Sequence, residues 1–218
     1  PSCVEHRPGA DYSWIVGINI KNVQGNLEIH DGSGGLSIFN HEGNLTINDG
    51  SGRIYLDGIG MKEQDYTIKI KDASGGISGQ GLGGDVSMID TSGYLRLKYI
   101  SGNVIVNDLS GNTYIAGVGG HLKIKDTSGG IYLKDIATNK DVAEIVTIRD
   151  TSGKIELRSI GTSASIIDRS GGISVRSVNG NLNIIDRSGG ISASDIAGTV
   201  QVKDRSGRVT AGTYLVKN

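Results

Sequence analysis

DTSGYLRLKYISGNVIVN, residues 90–107, carries two short runs in which apolar and polar residues alternate: Leu95 with Leu97, then Val104 with Val106. Alternation of period two is strand periodicity, whereas a helix would place its apolar residues three and four apart. Gly93 and Gly102 each precede one run. The unit therefore reads as two related nine-residue halves, each a glycine bend followed by a short strand.

The unit recurs. Residues 168–185 place Ile173, Val175, Val178, Leu182 and Ile184 in the same register, with Gly171 and Gly180 at the bends. Its most regular element is Asp-x-Ser-Gly. The Asp and Ser of the ten copies are Asp31 and Ser33, Asp49 and Ser51, Asp72 and Ser74, Asp90 and Ser92, Asp108 and Ser110, Asp126 and Ser128, Asp150 and Ser152, Asp168 and Ser170, Asp186 and Ser188, and Asp204 and Ser206. Successive copies are 18 residues apart, except for 23 after Asp49 and 24 after Asp126. Residues 13–30 fit the same pattern with Ser13 in place of the Asp, a degenerate first turn.

A fixed period near 20 residues marks a repeat architecture, in which each unit buries its apolar face only against its neighbours. Two strands per unit with glycine at both bends predict an all-β, two-sheet β-solenoid, or β-helix. It should have about eleven coils of 18 residues and little or no helix. Residues 1–12 read as an N-terminal arm and residues 13–218 as one repeat domain. At about 4.8 Å per coil the rod would be roughly 50 Å long. Pro1 and Pro8 both precede the first coil, as expected when central strands need their N–H groups.

Composition narrows the function classes. An aromatic content of 5% suits a thin core of Ile, Leu and Val between two close sheets. A net charge of −1 gives no electrostatic footprint for nucleic acid. No apolar run approaches the roughly 20 residues of a membrane-spanning helix. Charge is uneven along the chain: residues 1–144 carry 12 Lys and Arg against 17 Asp and Glu, and residues 145–218 carry 10 against 6. This is either drift in surface charge or a source of head-to-tail attraction between rods. The single Cys, Cys3, is a free thiol or a link between subunits. A chain that begins at Pro1 is expected to have lost a secretory signal, which places it outside the cell or on its surface.

The repeated polar residues have structural and chemical readings. Asp and Ser of Asp-x-Ser-Gly are expected to accept backbone N–H groups at a bend, as in an Asx-turn, with Gly completing it. A row of calcium ions is the competing reading, but one acid per coil is thin for a cation that wants six or more oxygens. No cofactor is therefore expected. Arg169, Arg187 and Arg205 follow the Asp in three successive motifs. They are expected to stack on the surface, alternating with Asp168, Asp186 and Asp204 as an ion-pair network or offering a polyanion site. Tyr55, Tyr114 and Tyr132 share one outward position, with Tyr94 nearby; such a face binds sugar rings or simply stabilises the sheet. His6, His30, His41 and His121 fall at different repeat positions, so no metal triad forms along a ladder. No Ser-His-Asp set stands out, and no enzymatic role is expected. The two period breaks, at 61–65 and 137–144, fall at the corner without Asp-x-Ser-Gly and read as bulges or as protrusions that contact a partner.

The ends carry the last expectation. The C-terminal DRSGRVTAGTYLVKN starts a coil and stops after Tyr214, Leu215 and Val216. An open solenoid rung templates association. Cys3 and Trp14 at one end and Tyr214, Leu215 and Val216 at the other are thus expected subunit contacts, joining copies head to tail along the axis. A heterologous contact of this kind does not close.

The segment SGGISVRSVNGNLNIIDRSGGIS, residues 170–192, resembles the adhesin tandem-repeat β-solenoid domain family of bacteria and archaea, and the likeness spans about residues 13–211. The resemblance implies a cell-envelope or extracellular role connected with adhesion, and it brings no catalytic residues. The chain departs from it in the regular Asp before Ser-Gly. Two functions are expected: a structural, non-catalytic subunit that self-assembles end to end into a filament, or an adhesin-like module that recognises glycans or cell surfaces through an outward Tyr/Arg face.

Overall fold

The computed structural model describes residues 17–61, 66–136, 145–212 and 216–217. In chain order the strands are β1 (Gly17–Lys21), β2 (Leu27–Asp31), β3 (Gly34–His41), β4 (Leu45–Asp49), β5 (Gly52–Ile59), β6 (Thr67–Asp72), β7 (Gly75–Leu82), β8 (Asp85–Asp90), β9 (Gly93–Ile100), β10 (Val104–Asp108) and β11 (Gly111–Val118). They continue with β12 (Leu122–Lys125), β13 (Gly129–Ile136), β14 (Ile145–Arg149), β15 (Gly153–Ile160), β16 (Ser163–Ile167), β17 (Gly171–Val178), β18 (Leu182–Asp186), β19 (Ile191–Ile196), β20 (Val200–Asp204), β21 (Val209–Ala211) and β22 (Val216–Lys217). Odd-numbered strands form one parallel eleven-stranded sheet and even-numbered strands another. No helix occurs among the described residues. The chain is thus a two-sheet β-solenoid in which each strand pairs with its counterpart one coil away.

The two halves of a coil are unequal. Strands of the odd sheet mostly run eight residues and those of the even sheet five. The cause is one residue near the end of each long strand that takes left-handed backbone angles: Asn22, Asn40, Gly58, Gly81, Tyr99, Gly117, Asp135, Ser159, Ser177 and Asp195. In β9, Leu95 and Leu97 point inward by alternation. Tyr99 would be next, but its φ of 56° turns it out and swings Ile100 in. Each long strand therefore gives three inward residues and turns the corner at the third. Pairing between β9 and β11 skips Tyr99 and resumes at Ile100 opposite Val118.

The other end of the long strand is set by glycine. The Gly that closes each Asp-x-Ser-Gly has φ between 111° and 148°. A Cβ on Gly52, Gly75, Gly93, Gly111, Gly129, Gly153, Gly171, Gly189 or Gly207 would overlap the carbonyl oxygen of the equivalent Gly one coil before. Only glycine permits both that angle and that approach. Between the sheets runs a continuous file of buried Ile, Leu and Val, with Met88 and two alanines. His41 occupies a corner position held elsewhere by Ile, Leu or Val. It is fully buried, with Nδ1 3.2 Å from the Val23 carbonyl and Nε2 3.2 Å from the Asn44 carbonyl.

The corner without Asp-x-Ser-Gly has its own side-chain ladder. Asp85 accepts the Asn103 N–H at 2.8 Å, and Asn103 accepts that of His121 at 2.8 Å. Ser163 accepts from Asn181 and Asn181 from Thr199. Of the two insertions expected at this corner, residues 62–65 and 137–144 lie outside the described residues, as do Cys3, Trp14, Tyr214 and Leu215. Val216 opens β22.

Two substitutions separate the corners. Gly111→Ala is expected to cost about 3 kcal/mol or more in urea unfolding, because strain and overlap act together. Tyr99→Gly removes a left-handed bulky residue that is 70% exposed and should be neutral or stabilising by up to about 1 kcal/mol. Equal losses at both sites would contradict this assignment.

Candidate functional site

In β10, Val104 and Val106 face the core, and the same alternation makes Asp108 the next inward residue. The Asp of the motif is therefore the last core-facing residue of each short strand. Asp49, Asp72, Asp90, Asp108, Asp126, Asp150, Asp168 and Asp186 are all buried, and only Asp31 and Asp204 in the terminal coils are half-buried. In all ten copies Asp Oδ1 accepts the N–H of the Ser two residues on, at 3.0–3.3 Å. At Asp126, Asp150 and Asp168 it also accepts the intervening N–H at 2.6 Å.

The serine hydroxyl differs from expectation. It does not accept an N–H; Ser51, Ser74, Ser92, Ser110, Ser128 and Ser152 donate to the carbonyl of the x residue one coil earlier, at 3.3–3.5 Å. Carbonyls at the bend point along the stacking axis and need donors, which the hydroxyl supplies.

The second carboxylate oxygen tells a different story. Oδ2 of Asp49, Asp72, Asp90, Asp126, Asp150, Asp168 and Asp186 is buried without a hydrogen-bond partner. Asp108 is the exception: Thr113, which replaces the usual inward aliphatic, donates its hydroxyl to Oδ2 at 3.1 Å. A charged carboxylate so enclosed is costly. Burial, and then the neighbouring Asp of adjacent coils, push Asp90 to about 6 and Asp126 to about 7. Burial, opposed by the Ser51 N–H, leaves Asp49 at about 6. Burial also raises Asp72, Asp108, Asp150 and Asp168.

The expected ion-pair network is not formed. Arg169, Arg187 and Arg205 are exposed while Asp168 and Asp186 lie inside, and among the described residues no ion pair joins them. The reason is strand parity: the x residue of the motif points outward when the Asp points in. Sequence reasoning missed the buried face of the ladder, although the alternation 104, 106, 108 carries it.

The outer face of the odd sheet holds the tyrosines. Tyr114 and Tyr132 are directly paired on adjacent coils. Arg96 precedes them in the same column and Glu156 follows. Arg96 lies over the Tyr114 ring, 5.4 Å from its centroid, and Lys154 lies 5.9 Å from that of Tyr132. Glu156 is clamped: Lys154 donates to Oε2 at 2.7 Å, and Arg158 donates to Oε1 from Nε at 2.7 Å and from Nη2 at 2.6 Å. The donation from Lys154, with support from Arg158, holds the Glu156 carboxyl below its usual range. A groove of about 210 Å³ opens here, lined by Tyr114, Tyr132, Leu133, Lys134, Glu156 and Arg158.

Tyr55 and Tyr94 do not join this groove. Tyr55 packs against Phe39 with ring centroids 5.5 Å apart and planes tilted by 47°, and donates to Asp57 at 3.4 Å, three coils from Tyr114. The Tyr94 ring lies over Gly76 on the preceding coil, where any Cβ would displace it. Of the groove's charged walls, Lys134 and Arg158 share one outward column with Lys98 and Arg176, whereas Glu156 stands in the tyrosine column between Tyr132 and Ser174. Comparison of the chain with protein-family models, curated proteins and solved structures finds no match.

The aspartates set a pH dependence. The folded pKa values of Asp49, Asp72, Asp90, Asp108, Asp126, Asp150 and Asp168 lie above the 3.8 of a free side chain. Between about pH 4 and 7 the folded chain thus binds more protons than the unfolded one, and stability falls as pH rises. The urea midpoint is expected to be higher at pH 4.5 than at pH 7.5. Asp126→Asn, which keeps the Oδ1 acceptor, should stabilise the protein at pH 7.5 and reduce the slope. A midpoint that rises with pH across this window would refute the protonated ladder. Thr113→Val should raise the Asp108 pKa further, as read by carboxyl NMR titration.

Proposed function

We propose that the chain is a structural, non-catalytic β-solenoid subunit that acts outside the cell and assembles end to end with copies of itself into a filament. The observation that carries this reading is the state of the outermost described rungs. Ile18 and Ile20 of β1, and Val209 and Ala211 of β21, are only partly buried, whereas their counterparts Leu36, Ile38, Ile191 and Ala193 are buried. Each rung is a row of inward aliphatics flanked by parallel backbone donors and acceptors. A rung left uncovered would offer the surface that an internal rung offers its neighbour. Joining opposite ends would set Val209 and Ala211 against Ile18 and Ile20 in the register used throughout the sheet. It would also bring the acidic residues of 1–144 near the basic ones of 145–218. The extracellular setting is supported by the resemblance of the repeat to adhesin tandem-repeat domains.

A second reading, an adhesin-like module that binds glycans or surfaces, is favoured by one feature: the groove on the outer face lined by Tyr114 and Tyr132.

Electron microscopy and sedimentation test the first reading. Filaments whose strand spacing runs along their length are expected, together with concentration-dependent sedimentation. Ile20→Lys should leave the circular dichroism of the sheet intact and abolish assembly. Uniform short rods at millimolar concentration, unchanged by Ile20→Lys, would dismiss it.

A further inference from the structure

The Tyr114–Tyr132 groove sits in a field of cations. One column of the odd sheet's outer face runs Lys98, Ala116, Lys134, Arg158, Arg176 in successive coils. Arg96 and Lys154 flank the tyrosine pair. Six cations therefore surround the groove, against Glu156 and Asp135, in a chain whose net charge is −1. Of these, Lys154 and Arg158 are committed to Glu156, and Lys134 lies 3.7 Å from Asp135. Small Ala116 opens the column between Lys98 and Lys134, beside the Tyr114 ring.

We infer that this groove binds a saccharide chain bearing carboxylate or sulfate groups, laid along the rod axis across the coils of Tyr114, Tyr132 and Glu156. This rests on the second reading above and names its ligand class. The repeat of cations is one per coil or per two coils, so a linear polymer with regularly spaced anions meets successive cations, while a single small anion meets one. The ring faces argue against stacked bases. Arg96 covers Tyr114 and Lys154 covers Tyr132, which leaves ring edges, phenol hydroxyls and ammonium groups as the recognition surface. The phenol hydroxyls and ammonium groups donate hydrogen bonds to carboxylate or sulfate oxygens. Glu156 acts as an internal competitor: its carboxylate occupies the Lys154 and Arg158 donors that an incoming anion would use.

The competitor supplies a test that misfolding cannot imitate. Binding of the full chain would be measured by calorimetry to polygalacturonate oligomers, heparin oligosaccharides, neutral dextran oligomers and single-stranded DNA. Binding to polygalacturonate, heparin or both is expected, weakening as salt is raised, and the two arms separate carboxylate from sulfate preference. Lys134→Ala combined with Arg158→Ala should weaken it by about tenfold or more, since charge-assisted hydrogen bonds are lost. Glu156→Gln should tighten it severalfold by freeing two cations. Thermal melts of the variants should match the parent, as all three side chains lie on the outer face. Binding to neutral dextran alone would overturn the ligand class and spare the module reading. No binding to any saccharide would overturn both. DNA binding as strong as the acidic saccharides, or weaker saccharide binding in Glu156→Gln, would overturn the inference.

Discussion

Glycine stacked on glycine is the constraint from which this architecture follows. At every Asp-x-Ser-Gly corner the carbonyl oxygen of one Gly fills the space where the next Gly would carry a Cβ. The coils can approach to strand-pairing distance at a sharp bend only because no side chain intervenes. That contact recurs once per coil and aligns the bends, so the strands on either side enter their sheets in register. A corner built from any other residue would push one coil away from the next and break the N–H to carbonyl chain through the bend, such as Gly93 N–H to Ser110 and Gly111 N–H to Ser128.

The same corner explains why a charged residue is buried eight times over. Backbone N–H groups at the bend turn toward the end of the core, and Asp Oδ1 satisfies them. The cost falls on Oδ2, which in seven coils is buried without a hydrogen-bond partner. Burial accordingly keeps the carboxyls of Asp49, Asp72, Asp90, Asp126, Asp150 and Asp168 protonated to higher pH than usual. Thr113 shows the alternative solution, a hydroxyl in place of an aliphatic, adopted in one coil only among the described residues. A thin two-sheet core makes that trade sensible: each Ile or Leu retained holds both sheets together, while each Thr would satisfy a single oxygen.

Away from the corners, the outer faces are free to vary, and there the molecule loses its monotony. The odd sheet gathers two tyrosines, a clamped glutamate and a run of lysines and arginines over neighbouring coils. None of these residues is required by the repeat. The core, by contrast, is nearly identical from coil to coil.

The period, the alternation and the glycine bends were all readable in residues such as Leu95, Leu97, Val104 and Val106, and they established a two-sheet solenoid with its strand positions. They sufficed because parallel in-register stacking is local: each residue meets its own equivalent one period away. Three things emerged only in three dimensions. The left-handed turn at Tyr99 and its equivalents falls mostly on Gly, Asn and Asp but also on Ser159, Ser177 and Tyr99 itself, so no single residue marks it along the chain; it is imposed by the need to bring Ile100 inward. The burial of the aspartates depended on how far alternation persists into a bend, which a glycine-rich motif leaves open until the chain is packed. The groove arose because side chains from different coils, each unremarkable in its own repeat, were brought side by side across the ladder; proximity between coils is a property of the stacked sheet, and a single strand read alone does not contain it.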